Sequence, residues 1–381
     1  MPSSPHRSRP DACPGAIEVH PAADGGLARV RIPGGTLTAD RLAVLRQAAI
    51  ELGDGSLELT SRANVQIRGL APGSEPELGE RLAEAGLLPT LTHERMRNII
   101  ASPLADTQGL ADAIDAALCA VPELAELPGR FLVTVDEGGD VSGLGADIGL
   151  HRVGAEWALL LAGADSGLRP GDPVAAVTRA AVEFLTLRAE RGGAAWRLAE
   201  IEGGVTEITR RLAAGTASHI APLSSPAPAD RVQPARSQPL PPGPLPDGRL
   251  VVGVPLGRLN PAQSAALLAA EHLRLTPWRS VLLPHSIPLG HGLITDPDSP
   301  WHGATACTGR PGCAKALADV RADAPRLLGG AGRSVHFSGC ERRCGRPRGA
   351  IDVLATADGY LVDGQRHEDT AAAIDAARRK Q

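Results

Sequence analysis

Aromatic side chains are scarce in this 381-residue chain, which has three Phe, one Tyr and four Trp. So few ring faces leave no platform on which successive nucleic-acid bases would stack. Neither sign of charge is in large excess, and a net charge of −4 makes no global case for nucleic acid or an anionic membrane. Lysine is nearly absent: Lys315 and Lys380 are the only two among 39 Lys and Arg residues. No apolar run reaches the roughly 18 residues of a membrane-spanning helix, and "MPSSPHRSRPDACPG" lacks the apolar centre of a signal peptide. A soluble, cytoplasmic protein is expected. At 381 residues, with six cysteines, the chain is too long for a small disulfide-stapled module and allows two or three domains with a substantial core.

In a reducing cytoplasm, clustered cysteines are metal ligands or redox groups before they are disulfides. Cys307, Cys313, Cys340 and Cys344 form a C-x5-C … C-x3-C pattern within residues 306–350. Four thiolates can close a tetrahedral zinc site or hold an iron–sulfur cluster. A five-residue gap is wide for a zinc knuckle, so the spacing leans towards a [4Fe–4S] cluster, with a zinc-stabilised fold element as the alternative. Gly309, Gly312, Gly339 and Gly345 flank these cysteines, where backbone would approach a cluster closely. Cys119 lies in the helical pattern "LADAIDAALCAV" and reads as a small core residue, whereas Cys13, in "DACPG", stands alone.

Prolines are dense from 215 to 248 and no apolar period survives there, which reads as a semi-rigid linker. A similar unit recurs on both sides of it. The first copy is "LARVRIPGGTLTADRLAVLRQAAIELGDGSLELTSRANVQIRGL" and the second is "RLVVGVPLGRLNPAQSAALLAAEHLRLTPWRSVLLP". Each gives a short strand ending near Pro33 or Pro255, an N-cap at Thr38 or Asn260 before a helix, and a second strand with Arg62 or Arg279. The repeat predicts a pseudo-symmetric core in which the two strands and their arginines face one another. Residues 130–136 and 157–163 read as strands, 172–191 as a helix, "GAIDVLATADGYLVDG" as a hairpin and "DTAAAIDAARRKQ" as a surface helix. "GLGADIG" at 143–149 lacks the spacing of a dinucleotide loop, so no nicotinamide site is visible.

"TACTGRPGC … HFSGCERRC" resembles the cluster motif of the sulfite and nitrite reductase superfamily, "LELTSRANVQIRGL" its tetrapyrrole-contacting strand, "RMRNIIASPLA" its Arg-Asn segment and "LPGRFLVTVD" its Leu-Pro-x-Lys-Phe-Lys segment. The resemblance spans most of the chain. It implies an α+β, sulfite/nitrite-reductase-like fold with two duplicated ferredoxin-like half-units and two mixed α/β lobes in pseudo-two-fold arrangement. The domains expected are 1–88, the first half-repeat with an N-terminal extension; 89–214, the first α/β lobe; 215–247, the linker; 248–300, the second half-repeat; and 301–381, the cluster lobe.

The resemblance assigns Cys307, Cys313, Cys340 and Cys344 as [4Fe–4S] ligands, with Arg62, Arg97, Arg130 and Arg279 on tetrapyrrole carboxylates and Asn64 and Gln66 on the substrate periphery. By the two-residue period, Asn64 and Gln66 share the face of Arg62. In the reductases two lysines flank the Phe of the last segment, and here Arg130 and Leu132 flank Phe131. A developing oxyanion would lose a cation there. "LRLTPWRSVLL", "ACPG" and "VHFSGC" look like the oxygen-using branch of the superfamily. That branch serves aerobic cobalamin biosynthesis, hydroxylating precorrin-3A with O2 and closing a lactone. It implies a monooxygenase with a [4Fe–4S] cluster and a mononuclear non-haem iron, without sirohaem, drawing electrons from an NADH-linked reductase or ferredoxin-like donor, and acting as a monomer. No iron-ligand signature can be read; His93, His302 and His336 lie nearest the recognised segments, and Cys13 is an outside candidate. The alternatives are a sirohaem-dependent sulfite or nitrite reductase and a non-catalytic electron-transfer or tetrapyrrole-carrier protein.

Overall fold

The structure, a computed structural model, describes residues 11, 13–214, 231–234 and 237–380. Most of the proline-rich segment expected as a linker lies outside the described residues. The chain forms two compact units: residues 31–36 and 88–238 with the N-terminal segment make one, and residues 16–30, 37–87 and 239–381 make the other.

The first repeat folds as β1 (His20–Ala22), β2 (Gly25–Val30), β3 (Thr36–Thr38), α1 (Ala39–Leu52), β4 (Leu57–Leu59), β5 (Val65–Leu70) and α2 (Glu75–Glu84). Thr38 caps α1 as expected, its hydroxyl accepting from the Arg41 N–H at 3.4 Å. Leu42, Leu45, Ala48 and Ala49 turn the helix's apolar stripe inward.

The following segment builds the smaller unit from β6 (Ile99–Ala101), α3 (Gln108–Cys119), β7 (Val133–Asp136), β8 (Ile148–Val153), β9 (Glu156–Leu161), β10 (Ala164–Leu168), α4 (Pro173–Glu190) and α5 (Gly204–Ala214). Its sheet runs β10-β9-β8-β7-β6, parallel across β6, β7 and β8 and antiparallel beyond. Phe131 and Phe184 meet in its core with ring centroids 4.9 Å apart. Cys119 is half-buried at the end of α3, whose buried stripe is Ala111, Ile114 and Leu118.

The second repeat gives β11 (Gly243–Pro244), β12 (Leu250–Gly253), β13 (Arg258–Leu259), α6 (Pro261–Leu267), β14 (His272–Leu275) and β15 (Ser280–Leu283). Asn260 and Gln263 close a reciprocal capping box at the start of α6. The two repeats exchange edge strands: β13 completes β1-β2-β5-β4-β13 and β3 completes β11-β12-β15-β14-β3. Neither half-sheet is whole without its counterpart, which is the physical content of the duplication.

The last lobe contains β16 (Ala304–Ala306), α7 (Val320–Leu327), β17 (Val335–Ser338), β18 (Ile351–Thr356), β19 (Gly359–Val362), β20 (Gln365–Arg366) and α8 (Thr370–Arg379). Its parallel β16, β17 and β18, continued by antiparallel β19 and β20, repeat the strand pattern of the other lobe. The hairpin read from the sequence is β18–β19. The tail helix α8 is not a plain surface helix, because Arg378 is 1% exposed and donates to the carbonyls of Pro300, His302, Leu328 and Arg333. A guanidinium with five N–H groups can satisfy that many loop carbonyls at once.

Candidate functional site

Two parallel neighbours, β16 and β17, end side by side, so the loops that leave their carboxyl ends meet. The first carries Cys307 and Cys313 and the second Cys340 and Cys344, which is why cysteine pairs with 26 residues between them converge. All four thiols line one cavity of about 550 Å³, which lies wholly within the larger unit. Cys307 is partly buried, and Gly339 N–H donates to its sulfur at 3.1 Å. Burial raises the Cys307 thiol's pKa and that N–H works against the rise. A Cβ at Gly312 would meet Asp24 Oδ2 at 2.6 Å and Thr308 Cγ2 at 2.7 Å, so the loop's approach there requires glycine.

The opposite wall comes from the first half-sheet. Arg29, Gln66 and Glu58 stand in one cross-strand row over β2, β5 and β4. Arg29 Nε donates to Gln66 Oε1 at 3.0 Å, and Gln66 Nε2 donates to Glu58 Oε2 at 3.1 Å. Arg321 Nη1 lies 2.6 Å from Glu58 Oε1 while its Nε donates to the Cys307 carbonyl at 3.2 Å. On the same strand as Gln66, Arg68 makes a two-pronged contact with Asp24 (3.0 and 2.9 Å) and donates to the Gly312 carbonyl at 3.1 Å. Both cysteine-loop carbonyls are therefore held by arginines that are themselves fixed by carboxylates. Arg279, Arg342 and Lys315 also line the cavity, so its charge is cationic despite the chain's acidic balance.

Of the expected substrate residues, Gln66 and Arg279 line this cavity. Arg62 and Asn64 precede β5 in a turn rather than sharing its strand face, and Asn64 is buried. In that turn the Thr60 hydroxyl accepts from the N–H groups of Arg62 (3.2 Å) and Asn64 (3.1 Å), and Ala63 has φ +54°. In the second repeat the Thr276 hydroxyl accepts from Trp278 and Ser280, both at 3.3 Å, and Arg279 has φ +58°. The repeat partner of Arg62 is thus Trp278, and Arg279 occupies the left-handed position of Ala63. Holding a long side chain in that conformation costs on the order of 1 kcal/mol, and it aims Arg279 at the Gly345 carbonyl, 3.2 Å away. Gly257 makes room for it, since a Cβ there would stand 2.6 Å from Arg279 Cδ.

Arg97 and Arg130 belong to the smaller unit. Arg97 is 4% exposed and bound to Asp115 through two hydrogen bonds of 2.8 and 2.6 Å, and Arg130 stacks over Trp196 at 5.3 Å. Of the histidines, His93 already uses both ring nitrogens, on the Thr92 hydroxyl and the Val121 carbonyl. His302 is held below its ordinary pKa by burial and by Arg378. His336 is fully buried on β17, pushed down to about 4 by burial and by Arg279, and is neutral at pH 7. Among the described residues no three His, Cys, Asp or Glu side chains converge so as to hold a single metal ion. Sequence reasoning missed Arg29, Glu58, Arg68, Lys315 and Arg321. The two-residue period of β5 would have placed Arg68 beside Gln66; the others depend on strand register and loop placement.

No helix among the described residues is long and apolar enough to cross a membrane. A family model for the nitrite/sulfite reductase ferredoxin-like half domain matches residues 20–85. A precorrin-3B synthase of Sinorhizobium sp is 27% identical, the alignment covering 93% of this chain and 83% of that protein. A ferredoxin–nitrite reductase of Synechococcus elongatus is also 27% identical, over 89% of this chain and 78% of that one. The solved structure of the Mycobacterium tuberculosis NirA protein superposes with a TM-score of 0.68 at 20% identity, over 88% of this chain and 73% of that chain, which establishes the fold. The resemblance to the sulfite and nitrite reductase superfamily, read from the motifs, is thus also what the half-domain match, the long alignments and the fold each return.

Proposed function

We propose that this chain is an enzyme of the precorrin-3B synthase type, which hydroxylates precorrin-3A with O2 and forms the ring lactone. One observation carries the reading: four cysteines and a cationic wall share a single cavity. The thiols fit a polynuclear cluster, since all four line one cavity and glycine lets the backbone approach them. Cys307, Cys313, Cys340 and Cys344 would hold a [4Fe–4S] group, which supplies single-electron transfer when bound. Among the described residues no ligand set for a mononuclear iron is assembled.

The protein's own part is binding and orientation. Arg279, Arg342 and Lys315 offer cations to the carboxylates of a polyanionic macrocycle. Arg29, Gln66 and Glu58 present a polar wall whose hydrogen bonds are already fixed before substrate arrives. Incorporation of one oxygen atom, with the other leaving as water, consumes one O2, two electrons and two protons, the electrons coming from an external donor. Buried Leu132 stands where the reductases place a lysine, which disfavours reduction of a small oxyanion.

Anaerobic reconstitution with iron and sulfide, then pigment analysis and addition of precorrin-3A and O2, tests the reading. It requires a cluster without sirohaem and a product heavier by one oxygen. Bound sirohaem with sulfite or nitrite turnover would overturn it in favour of a reductase, the reading to which the cyanobacterial relative's name points. Cys340→Ser should abolish both cluster content and turnover; intact activity in that variant would remove the electron-transfer role.

A further inference from the structure

The sheet beneath the cysteine loops has two unlike faces. Val335, Phe337, Ile351 and Val353 turn into the apolar core of the lobe. By alternation, Thr305, His336, Ser338 and Asp352 turn the other way. Thr305, His336 and Asp352 are directly paired across β16, β17 and β18, and all four side chains are buried. The loop bearing Cys340 and Cys344 covers this face: Arg343 Nε is 2.5 Å from Asp352 Oδ2, and a Cβ on Gly345 would lie 4.0 Å from the His336 ring.

Three atoms on this face, His336 Nε2, Ser338 Oγ and Asp352 Oδ1, are buried without a hydrogen-bond partner among the described residues. Such groups are rarely left unsatisfied, because burial strips them of solvent. Their roles complement one another. Thr305 Oγ1 lies 3.2 Å from the Val335 carbonyl and 2.8 Å from His336 Nδ1, so Nδ1 is occupied and Nε2 is the ring nitrogen left on this face. Asp352 Oδ1 is an acceptor, Ser338 Oγ–H is a donor, and His336 Nε2 donates or accepts according to which ring nitrogen carries the proton. A water molecule donates two hydrogen bonds and accepts at its oxygen, which matches that set.

We propose that this face binds an internal water through His336, Ser338 and Asp352, and that the three act as positioning residues for the loop carrying Cys340 and Cys344. The positioning role rests on the reading of those cysteines as cluster ligands; the water site does not. Side chains behind the ligands of a metal group fix the ligands' orientation, and their loss typically weakens its retention about 10-fold or more.

A high-resolution crystal structure of the protein should show one water within hydrogen-bond reach of all three atoms, and a dry pocket would overturn the site. In reconstituted protein, Ser338→Ala should speed chelator-driven loss of cluster iron about 10-fold. Phe337→Leu, one residue away on the apolar face, should lower the urea midpoint more than Ser338→Ala yet leave that rate unchanged. An unaltered rate in Ser338→Ala, or equal acceleration in both variants, would overturn the positioning role as distinct from general stability. A protein that takes up no iron and sulfide overturns the cluster reading and the positioning role with it, while the crystallographic density still decides the water.

Discussion

Arg68→Met tests whether the cysteine loop is held from the half-sheet. Arg68 has a side chain only 6% exposed, grips Asp24, itself 22% exposed, and donates to the Gly312 carbonyl. Removing one partner of a buried pair costs about 3–5 kcal/mol. Partial exposure of Asp24 puts this pair at the low end, about 3 kcal/mol, and an orphaned Gly312 carbonyl adds roughly 1. Methionine keeps most of the apolar stem, so the loss reports polar contacts rather than a cavity. Equilibrium urea unfolding with an unchanged m-value should therefore show about 3–4 kcal/mol less stability in the transition of the larger unit. A double-mutant cycle with Asp24→Asn should return a coupling energy of about 2–3 kcal/mol, and maleimide should label Cys313 faster in Arg68→Met. Additive effects of the two substitutions, or a loss below about 1 kcal/mol, would mean that the pair behaves as an ordinary surface ion pair and does not anchor the loop.

In the smaller unit, burial and the neighbouring Asp136 push the Asp140 carboxyl up to about 6. Burial also opposes ionisation of Asp136, but the hydrogen bonds from His151 and Ser142 outweigh it and hold Asp136 low. Because the folded pKa of Asp140 lies above its unfolded value of about 3.9, its penalty is fully present above pH 6 and is relieved as pH falls towards 4. Asp140→Asn should therefore raise the urea midpoint at pH 7 and flatten its rise between pH 6 and 4; an unchanged profile would refute the assignment. Asn260→Ala removes the capping box of α6 and should cost about 1 kcal/mol in the same unfolding assay. The Cys119 thiol is pushed up to about 11 by burial and by Asp115, so at pH 8 it should react with a thiol reagent only after unfolding.

Local patterns carried much of this architecture. The caps at Thr38 and Asn260, the helix capped by Asp172, the β18–β19 hairpin and the duplicated half-units all depend on short-range chemistry that a linear reading can follow. The four-cysteine spacing already marked the loops that line the cavity. What could not be read is register. Arg62 and Arg279 look like repeat partners as a Thr-x-Arg and a Thr-x-x-Arg, yet the hydrogen bonds of Thr60 and Thr276 align Arg279 with Ala63.

The arginines divide the same way. Their abundance was plain from the composition, but only tertiary contacts show the task of each: Arg378 holds loop carbonyls outside the cavity, Arg68, Arg321 and Arg279 each hold a loop carbonyl while lining it, and Arg342 lines it too. A guanidinium has the same propensity and charge in either task, and what differs is which carbonyls and carboxylates the fold brings within reach. The sequence by itself determined the helix caps, the repeat and the four-cysteine spacing; the exchange of β3 and β13, the carboxyl-end meeting of β16 and β17 and the buried polar row beneath them were decided by pairing between distant segments, which no local pattern encodes.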